Sequence, residues 1–496
     1  MEEQRSSYRQ ILGTTSLFGG IQVFNILISI IRSKFVAILL GPFGMGISGL
    51  FLTWSDTIAG LTNFGLGTSG VKSVAAADAE EDKRKLEMVV TVLKRLMWFT
   101  GLLGAIVMII LSPFLSQFVF GSKEYTFGFI FLSVSMLFRQ LAAGENVIMQ
   151  GKRQLKSLAK ANLLGSVLSL IVTVSLYYLF GLDGIVPGLI AIAVIAFVSS
   201  YFYSRKIKIN RLPLTLKETW NEGKGMITLG FMLSLSYLIT ILVSSLVRVY
   251  ISNTGGVEDV GLYHAGTTIL IVYTGLIFTA MSIDYFPRLS RIANDNTAVK
   301  EMINQQAEIA ILILAPILMI FFVFIQWVVQ LLYSEQFLPI NEMIVWGALG
   351  MYFKAASWAI AFLFLAKGAS KLFLINEILS NAFILILSII FYQWKELDGL
   401  GMSLLASYVI YLVQVFIICN RKYQFRFNSG FIKIFGIQIV LAILCFCTVE
   451  FLPTILAYIS GSCLIVVSGI FSLIELNKRI AIKDLITSKL LNKKNG

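Results

Sequence analysis

Ile21-Gln-Val-Phe-Asn25-Ile-Leu-Ile-Ser29-Ile-Ile-Arg32-Ser-Lys34-Phe-Val-Ala-Ile-Leu-Leu40 is the stretch that decides the fold class. A helix rises about 1.5 Å per residue, so a run of this length crosses the roughly 30 Å hydrocarbon core of a bilayer. Its polar residues are not scattered. At about 100° per residue, Gln22, Asn25, Ser29 and Arg32 fall within a stripe of roughly 80°. An apolar helix with one polar stripe ending in a cation reads as a membrane span whose stripe faces a wet interior. Lys34 points about 160° away from Arg32 and reads as snorkelling toward the interface.

Runs of this kind recur to the end of the 496-residue chain, which is 57% apolar and 14% charged with a mean hydropathy of +0.83; a soluble domain carries about 25% charge. Hydrophobicity and breakers place spans at 11–40, 43–71, 90–112, 125–150, 157–180, 184–204, 225–251, 259–287, 304–333, 337–366, 372–394, 398–419, 432–450 and 452–476. The first is too long for a signal-peptide core and has no small-residue cleavage site, so it is expected to be retained. Of the 40 Lys and Arg, 33 lie in or beside connections on one side of these spans, and two, Lys123 and Lys395, on the other. By the positive-inside rule the basic side is cytoplasmic, with both termini there. The net charge of +13 then reflects topology and contact with anionic lipids, not nucleic acid. Cys419, Cys445, Cys447 and Cys463 lie in apolar runs without metal-ligand spacing and read as buried small hydrophobes; a lone His264 excludes a histidine metal cluster.

The chain repeats itself at an offset of 215–217 residues. Ser29-Ile-Ile-Arg32 returns as Ser245-Leu-Val-Arg248, Met136-Leu-Phe-Arg139 as Met351-Tyr-Phe-Lys354, Leu182-Asp-Gly184 as Leu397-Asp-Gly399, and Arg205-Lys206 as Arg421-Lys422. The glycines of the Gly41-Pro-Phe-Gly44-Met-Gly46 turn are matched at Gly261. The expected fold is an all-α membrane protein of about fourteen helices: a six-helix repeat over 1–216, a second over 217–430, and two further helices with a basic cytoplasmic tail over 431–496. An even helix number leaves the repeats parallel, with the transport path between them.

The repeat pairs Arg32 with Arg248 and Arg139 with Lys354. Charges inside a membrane are costly and usually functional, so these four cations are the candidate substrate-binding residues of a central cavity, lined also by Gln22, Asn25, Ser29 and Asn146. Membrane carboxylates that might instead pair with them are Asp56, Glu145, Asp284, Glu342 and Glu377. Asp56, on a small-residue stripe of Gly49, Thr53, Gly60, Asn63 and Gly67, and Glu377, beside Asn376 and Asn381, are the candidates for coupling to protons or sodium. Gly65-Leu-Gly-Thr-Ser-Gly70-Val-Lys72-Ser73 is close to a P-loop but has one residue too many before the lysine and no preceding strand.

Thr15-Ser-Leu-Phe-Gly-Gly20, Arg32-Ser-Lys-Phe-Val-Ala37, Leu40-Gly-Pro-Phe-Gly-Met-Gly46 and Asn63-Phe-Gly-Leu-Gly67 resemble bacterial O-antigen and polysaccharide repeat-unit flippases of the multidrug/oligosaccharidyl-lipid/polysaccharide exporter superfamily. The resemblance implies an inner-membrane secondary transporter. Its cargo would be an undecaprenyl-diphosphate-linked glycan, moved to the periplasmic leaflet by alternating access. It also implies no cofactor beyond a proton or sodium coupling ion, and partners among membrane lipids and other polysaccharide-assembly proteins. A lipid II flippase and a multidrug–cation antiporter of the same superfamily are the alternatives; basic pairs disfavour a cationic drug. The longest outer connection, near 112–125, is too short to house a catalytic domain, so an enzyme is not expected.

Overall fold

The computed structural model describes residues 2–80, 82–210 and 212–480, with side chains from 24 onward except 25, 26, 233, 273, 283 and 480. Described residues form helices and short connections, as they must in a solvent that cannot satisfy backbone N–H and C=O groups. The helices are α1 (Glu2–Thr62), α2 (Leu66–Ala79), α3 (Lys83–Phe120), α4 (Thr126–Gly151), α5 (Leu155–Phe180), α6 (Ile185–Ser204), α7 (Leu216–Thr254), α8 (Val257–Thr267), α9 (Thr274–Arg291), α10 (Asn296–Leu332), α11 (Asn341–Ala366), α12 (Ser370–Tyr423), α13 (Ser429–Phe451) and α14 (Thr454–Ile480). A π-helical turn, Thr268–Tyr273, joins α8 to α9.

Eleven stretches of the described residues are long and apolar enough to cross a membrane. Three of the eleven each hold two crossings, which brings the number to fourteen. α1 breaks at Gly41 (φ 65°), followed by Pro42. The stretch 155–204 breaks at the 3-10 turn Gly181–Gly184. α12 breaks at Lys395 and Glu396, the latter at φ 46°. The breaks fall where the sequence places the ends of spans. One span differs: the expected helix over 43–71 stops at Thr62 and restarts at Leu66. Phe64 (φ 47°) and Gly65 (φ 62°) take left-handed backbone there, and the Asn63 Oδ1 accepts the Gly65 N–H at 2.8 Å. A Cβ on Gly65 would sit 2.0 Å from the Gly230 carbonyl oxygen, so this interruption lets α7 approach closely.

The described chain divides into two compact units, Met1–Gly261 with Leu332–Gln336, and Leu262–Leu331 with Phe337–Gly496. In the first, α3 packs on α4, α4 and α5 on α6, α1 on α5, and α7 against α1, α2 and α3. Its core includes Leu66, Val74, Leu93, Met97, Val147 and Met226. α6 leads into α7 through an extended strap bound along α3. Asn210 Nδ2 donates to Glu87 Oε1 (2.9 Å), the Leu212 N–H to Thr91 Oγ1 (3.2 Å), and Arg95 Nη1 to the Leu214 carbonyl (2.5 Å) and Thr219 Oγ1 (2.9 Å). Two strap residues advance about 6.6 Å and four helical residues about 6 Å, which is why every second strap residue meets α3 one turn further on. α7 then opens on a capping box, Thr215 with Glu218.

In the second unit α11 packs on α12, and α13 on α14. Gln438 of α13 is fully buried and fully bonded, donating to Ser472 Oγ (2.9 Å) and accepting from Ser468 Oγ (2.7 Å). Arg479 Nε of α14 reaches Glu308 Oε2 of α10 at 2.7 Å. Of the cysteines, Cys419 and Cys445 are buried as expected, but Cys447 is half-buried and Cys463 exposed.

Candidate functional site

Arg32 is half-buried on α1, against α5. Its Nη2 donates to Ser169 Oγ at 2.8 Å and lies 3.5 Å from the Ser166 carbonyl, while its Nε has no hydrogen-bond partner among the described residues. Tyr177 is within electrostatic reach. No described carboxylate forms a salt bridge with it. A guanidinium carries five N–H donors, so the charge is solvated by hydroxyls with donors to spare. The sequence sign for these partners is the polar series Ser166, Ser169, Thr173 and Tyr177 at helical spacing along α5, none of which carries a charge.

Lys354 behaves similarly in the second unit. Its Nζ donates to the Tyr408 hydroxyl at 3.2 Å and lies 5.0 Å from that ring's centroid, again with no described salt-bridge partner. Arg248 donates to its own helix, to the Ser244 hydroxyl and, at 3.3 Å, the Ser244 carbonyl. Arg139 is different: its Nη2 makes a salt bridge with Asp56, joining α4 to α1, and Tyr237 of α7 lies within reach of both charges. The structure thus joins a candidate cation to the first of the carboxylates that the sequence offered as alternative partners, which is also a candidate coupling group.

Glu377 lies in a network of neutral groups between the two limbs of α12. Tyr411 donates its hydroxyl to Glu377 Oε1 (3.2 Å), Asn381 Nδ2 donates to the Glu377 carbonyl (2.9 Å), and Gln414 Nε2 donates to Asn376 Oδ1 (2.6 Å). No described cation pairs with it. Tyr411 and Gln414 escaped the sequence reading because neither is charged; their spacing with Tyr408, every third residue of an apolar run, was the available sign.

Among the expected lining residues, Ser29 is exposed on α1. Asn146 accepts from Ser200 Oγ at 2.9 Å and so ties α4 to α6. Gln22 and Asn25 lie outside the residues whose side chains are described. Lys34 does not snorkel: its Nζ donates to the Tyr333 carbonyl, capping a helix end. Glu145 is held by Lys94 (2.9 Å) and Ser204 (2.5 Å), and Asp284 by Arg288 (3.0 Å).

Eleven long apolar helical stretches among the described residues, three of them broken in two, define a multi-pass membrane protein. The chain belongs to the polysaccharide biosynthesis protein family, whose sequence profile matches residues 27–342. It is 22% identical over 401 residues to the Lipid III flippase of Escherichia coli K12, covering 78% of this chain and 94% of that protein. Among solved structures it is similar to the lipid II flippase MurJ in an inward closed conformation, with a TM-score of 0.70 at 15% identity over 95% of this chain and 99% of the other. It is also similar to an inward-facing multidrug resistance MATE family transporter, with a TM-score of 0.67 at 18% identity over 81% and 94%.

Proposed function

We propose that this chain is a flippase that carries an undecaprenyl-diphosphate-linked oligosaccharide, such as a polysaccharide repeat unit, from the cytoplasmic to the periplasmic leaflet of a bacterial inner membrane. The observation that carries the reading is the state of Arg32 and Lys354: each is held by neutral groups, with no described carboxylate paired to it. An uncompensated cation inside a membrane is expensive. Two of them, one in each unit, are accounted for by a cargo that brings its own negative charge. A diphosphate does so, and its oxygens match the remaining N–H donors through charge-assisted bonds. A cationic drug would be repelled, which sets the multidrug alternative aside; a lipid II flippase remains the second reading, since its cargo is also an anionic lipid-linked glycan. Family membership and the lipid III flippase relative support the same substrate class.

Alternating access is coupled in this reading to a proton or sodium gradient through Glu377. A carboxylate surrounded by neutral donors has room to exchange a proton or hold a cation, whereas Asp56 is already neutralised by Arg139. The test is reconstitution of the full chain in vesicles with a fluorescent undecaprenyl-diphosphate-linked oligosaccharide. Its exposure to an impermeant quencher is followed with and without an imposed ion gradient. Translocation faster than in protein-free vesicles, and slowed at least tenfold by Arg32→Ala and Lys354→Ala at equal protein levels, is expected. Transport unaffected by both substitutions, or none under either gradient, overturns the proposal.

A further inference from the structure

A second basic site stands apart from those cations. α3, α4 and α6, with the strap 205–214 as its floor, enclose a cavity of about 730 Å³ inside the first unit. Lys94, Arg95, Glu145, Tyr201, Ser204 and Arg205 contribute its polar lining, and Trp98 stands in its wall. Glu145 neutralises Lys94. Arg95 is fixed by the Leu214 carbonyl and Thr219, and the Glu218 carboxylate, which is outside the lining, is within electrostatic reach of it. Arg205 is exposed and rests on the Phe202 ring at 5.1 Å. Three cations against one carboxylate leave the described lining with a surplus of two positive charges. From the cavity, Trp98, Leu102, Ile106 and Ile109 run along one face of α3, each about half exposed. That track spans about 16 Å of helix, close to half of the roughly 30 Å hydrocarbon core.

We propose that this cavity binds the phosphate head group of an anionic glycerophospholipid, with an acyl chain lying along Trp98–Ile109. Phosphate needs cations and N–H donors at the membrane surface, and an acyl chain needs an exposed apolar track of one leaflet's depth. The cavity and the track supply both, in the right order along a single helix. Its volume is within the range of small-ligand sites, about 300–1,000 Å³. Glu145, closed off by Lys94 and Ser204, sets the depth of the head group rather than repelling it. The occupant is a resident lipid of the bilayer, distinct from any translocated cargo, so the inference does not depend on the proposed flippase activity.

Native mass spectrometry of the full chain in neutral detergent tests this. Phosphatidylglycerol and phosphatidylcholine of identical chains are added in equal amounts, with undecaprenyl phosphate in a parallel arm. One phosphatidylglycerol should be retained in preference to phosphatidylcholine. Arg205→Gln should weaken that retention about fivefold, as expected for one surface charge, and Arg205→Glu by about 25-fold; Trp98→Ala should shorten retention of the long-chain form more than of a short-chain analogue. Equal retention of the two phospholipids, or a preference unchanged in Arg205→Glu with wild-type melting, overturns the site. Displacement of phosphatidylglycerol by equimolar undecaprenyl phosphate overturns the choice of occupant and makes the cavity a carrier-lipid site.

Discussion

Asp56→Asn and Arg139→Gln, alone and together, would separate what the α1–α4 salt bridge does for the fold from what Arg139 does for transport. Both side chains are about 40% exposed, so the pair lies between two dielectric limits. At an N···O separation of about 3 Å, the Coulomb energy is roughly 5 kcal/mol at an effective dielectric of 20 and about 1.4 kcal/mol in water. Desolvation and side-chain ordering offset much of the larger figure. A coupling of about 1–2 kcal/mol is expected. Each single variant should lose about that much stability, because each leaves one charge facing a neutral amide. The double variant should lose little more than either alone. Reversible unfolding in mixed micelles gives the cycle, and transport in vesicles gives the second readout. If Arg139 touches the cargo, the double variant matches Asp56→Asn in stability yet transports more slowly. If the pair serves only packing, the three variants lose transport in step with stability. A coupling below about 0.5 kcal/mol would refute the salt bridge as a contributor to stability.

Three further outcomes are expected. Glu377→Gln should remove the dependence of transport on the ion gradient while leaving carrier-lipid binding intact, and Tyr411→Phe should shift the pH dependence of transport without abolishing it; gradient-driven flux at wild-type level in Glu377→Gln would reduce this group to packing. Arg479→Met should destabilise the protein by about 3 kcal/mol because it strands the buried Glu308, whereas Glu308→Gln should cost about 1 kcal/mol because Arg479 retains Glu475 at 2.5 Å; unfolding titrations of the two should therefore differ by more than their errors. Hydrogen bonds from Thr215 hold the Glu218 carboxyl below its ordinary value of 4.5. A depressed carboxyl stabilises the folded state fully above the ordinary value and loses that contribution as pH falls through the folded value. Protection of the amides in the first turn of α7, corrected for the intrinsic exchange rate at each pH, should therefore fall on acidification below about pH 4.5, and in Glu218→Gln should be less sensitive to acid.

The crossings were legible because hydrocarbon imposes a length and a composition, and their ends because Gly41-Pro42, Gly181–Gly184 and Lys395-Glu396 cannot continue a regular helix under apolar pressure. The positions of the odd charges were legible for the same reason: Arg32, Arg139, Arg248 and Lys354 stand out against what surrounds them. What each charge meets was not. Arg139 finds Asp56 83 positions away in the chain, and Lys34 finds a carbonyl 299 positions away. Such choices are fixed by which helices become neighbours, and helix–helix packing in lipid depends on close-fitting small residues more than on patterns read along one helix. The interruption at Asn63–Gly65 was hidden in the same way. Its glycines fit a small-residue stripe equally well, and only the approach of Gly230 shows that the backbone itself turns there. Neutral networks such as Tyr411–Glu377 were least visible, since hydroxyls and amides are common in membrane helices whether or not they converge.

The strap of Asn210, Leu212 and Leu214 along Glu87, Thr91 and Arg95 has a consequence for how this connection tolerates change in length. Alternate residues of the strap are locked to successive turns, so the segment behaves as a vernier against α3. Inserting one residue would put the bonding groups on either side of the insertion out of phase, so that those on one side turn away from the helix. Inserting two would restore the alternation, with the strap on one side of the insertion moved by one turn of α3. Epitope tags, protease sites or split points placed between Asn210 and Thr215 should therefore obey a parity rule, even lengths being accepted and odd ones rejected, while the span after Glu218 follows the helical period instead.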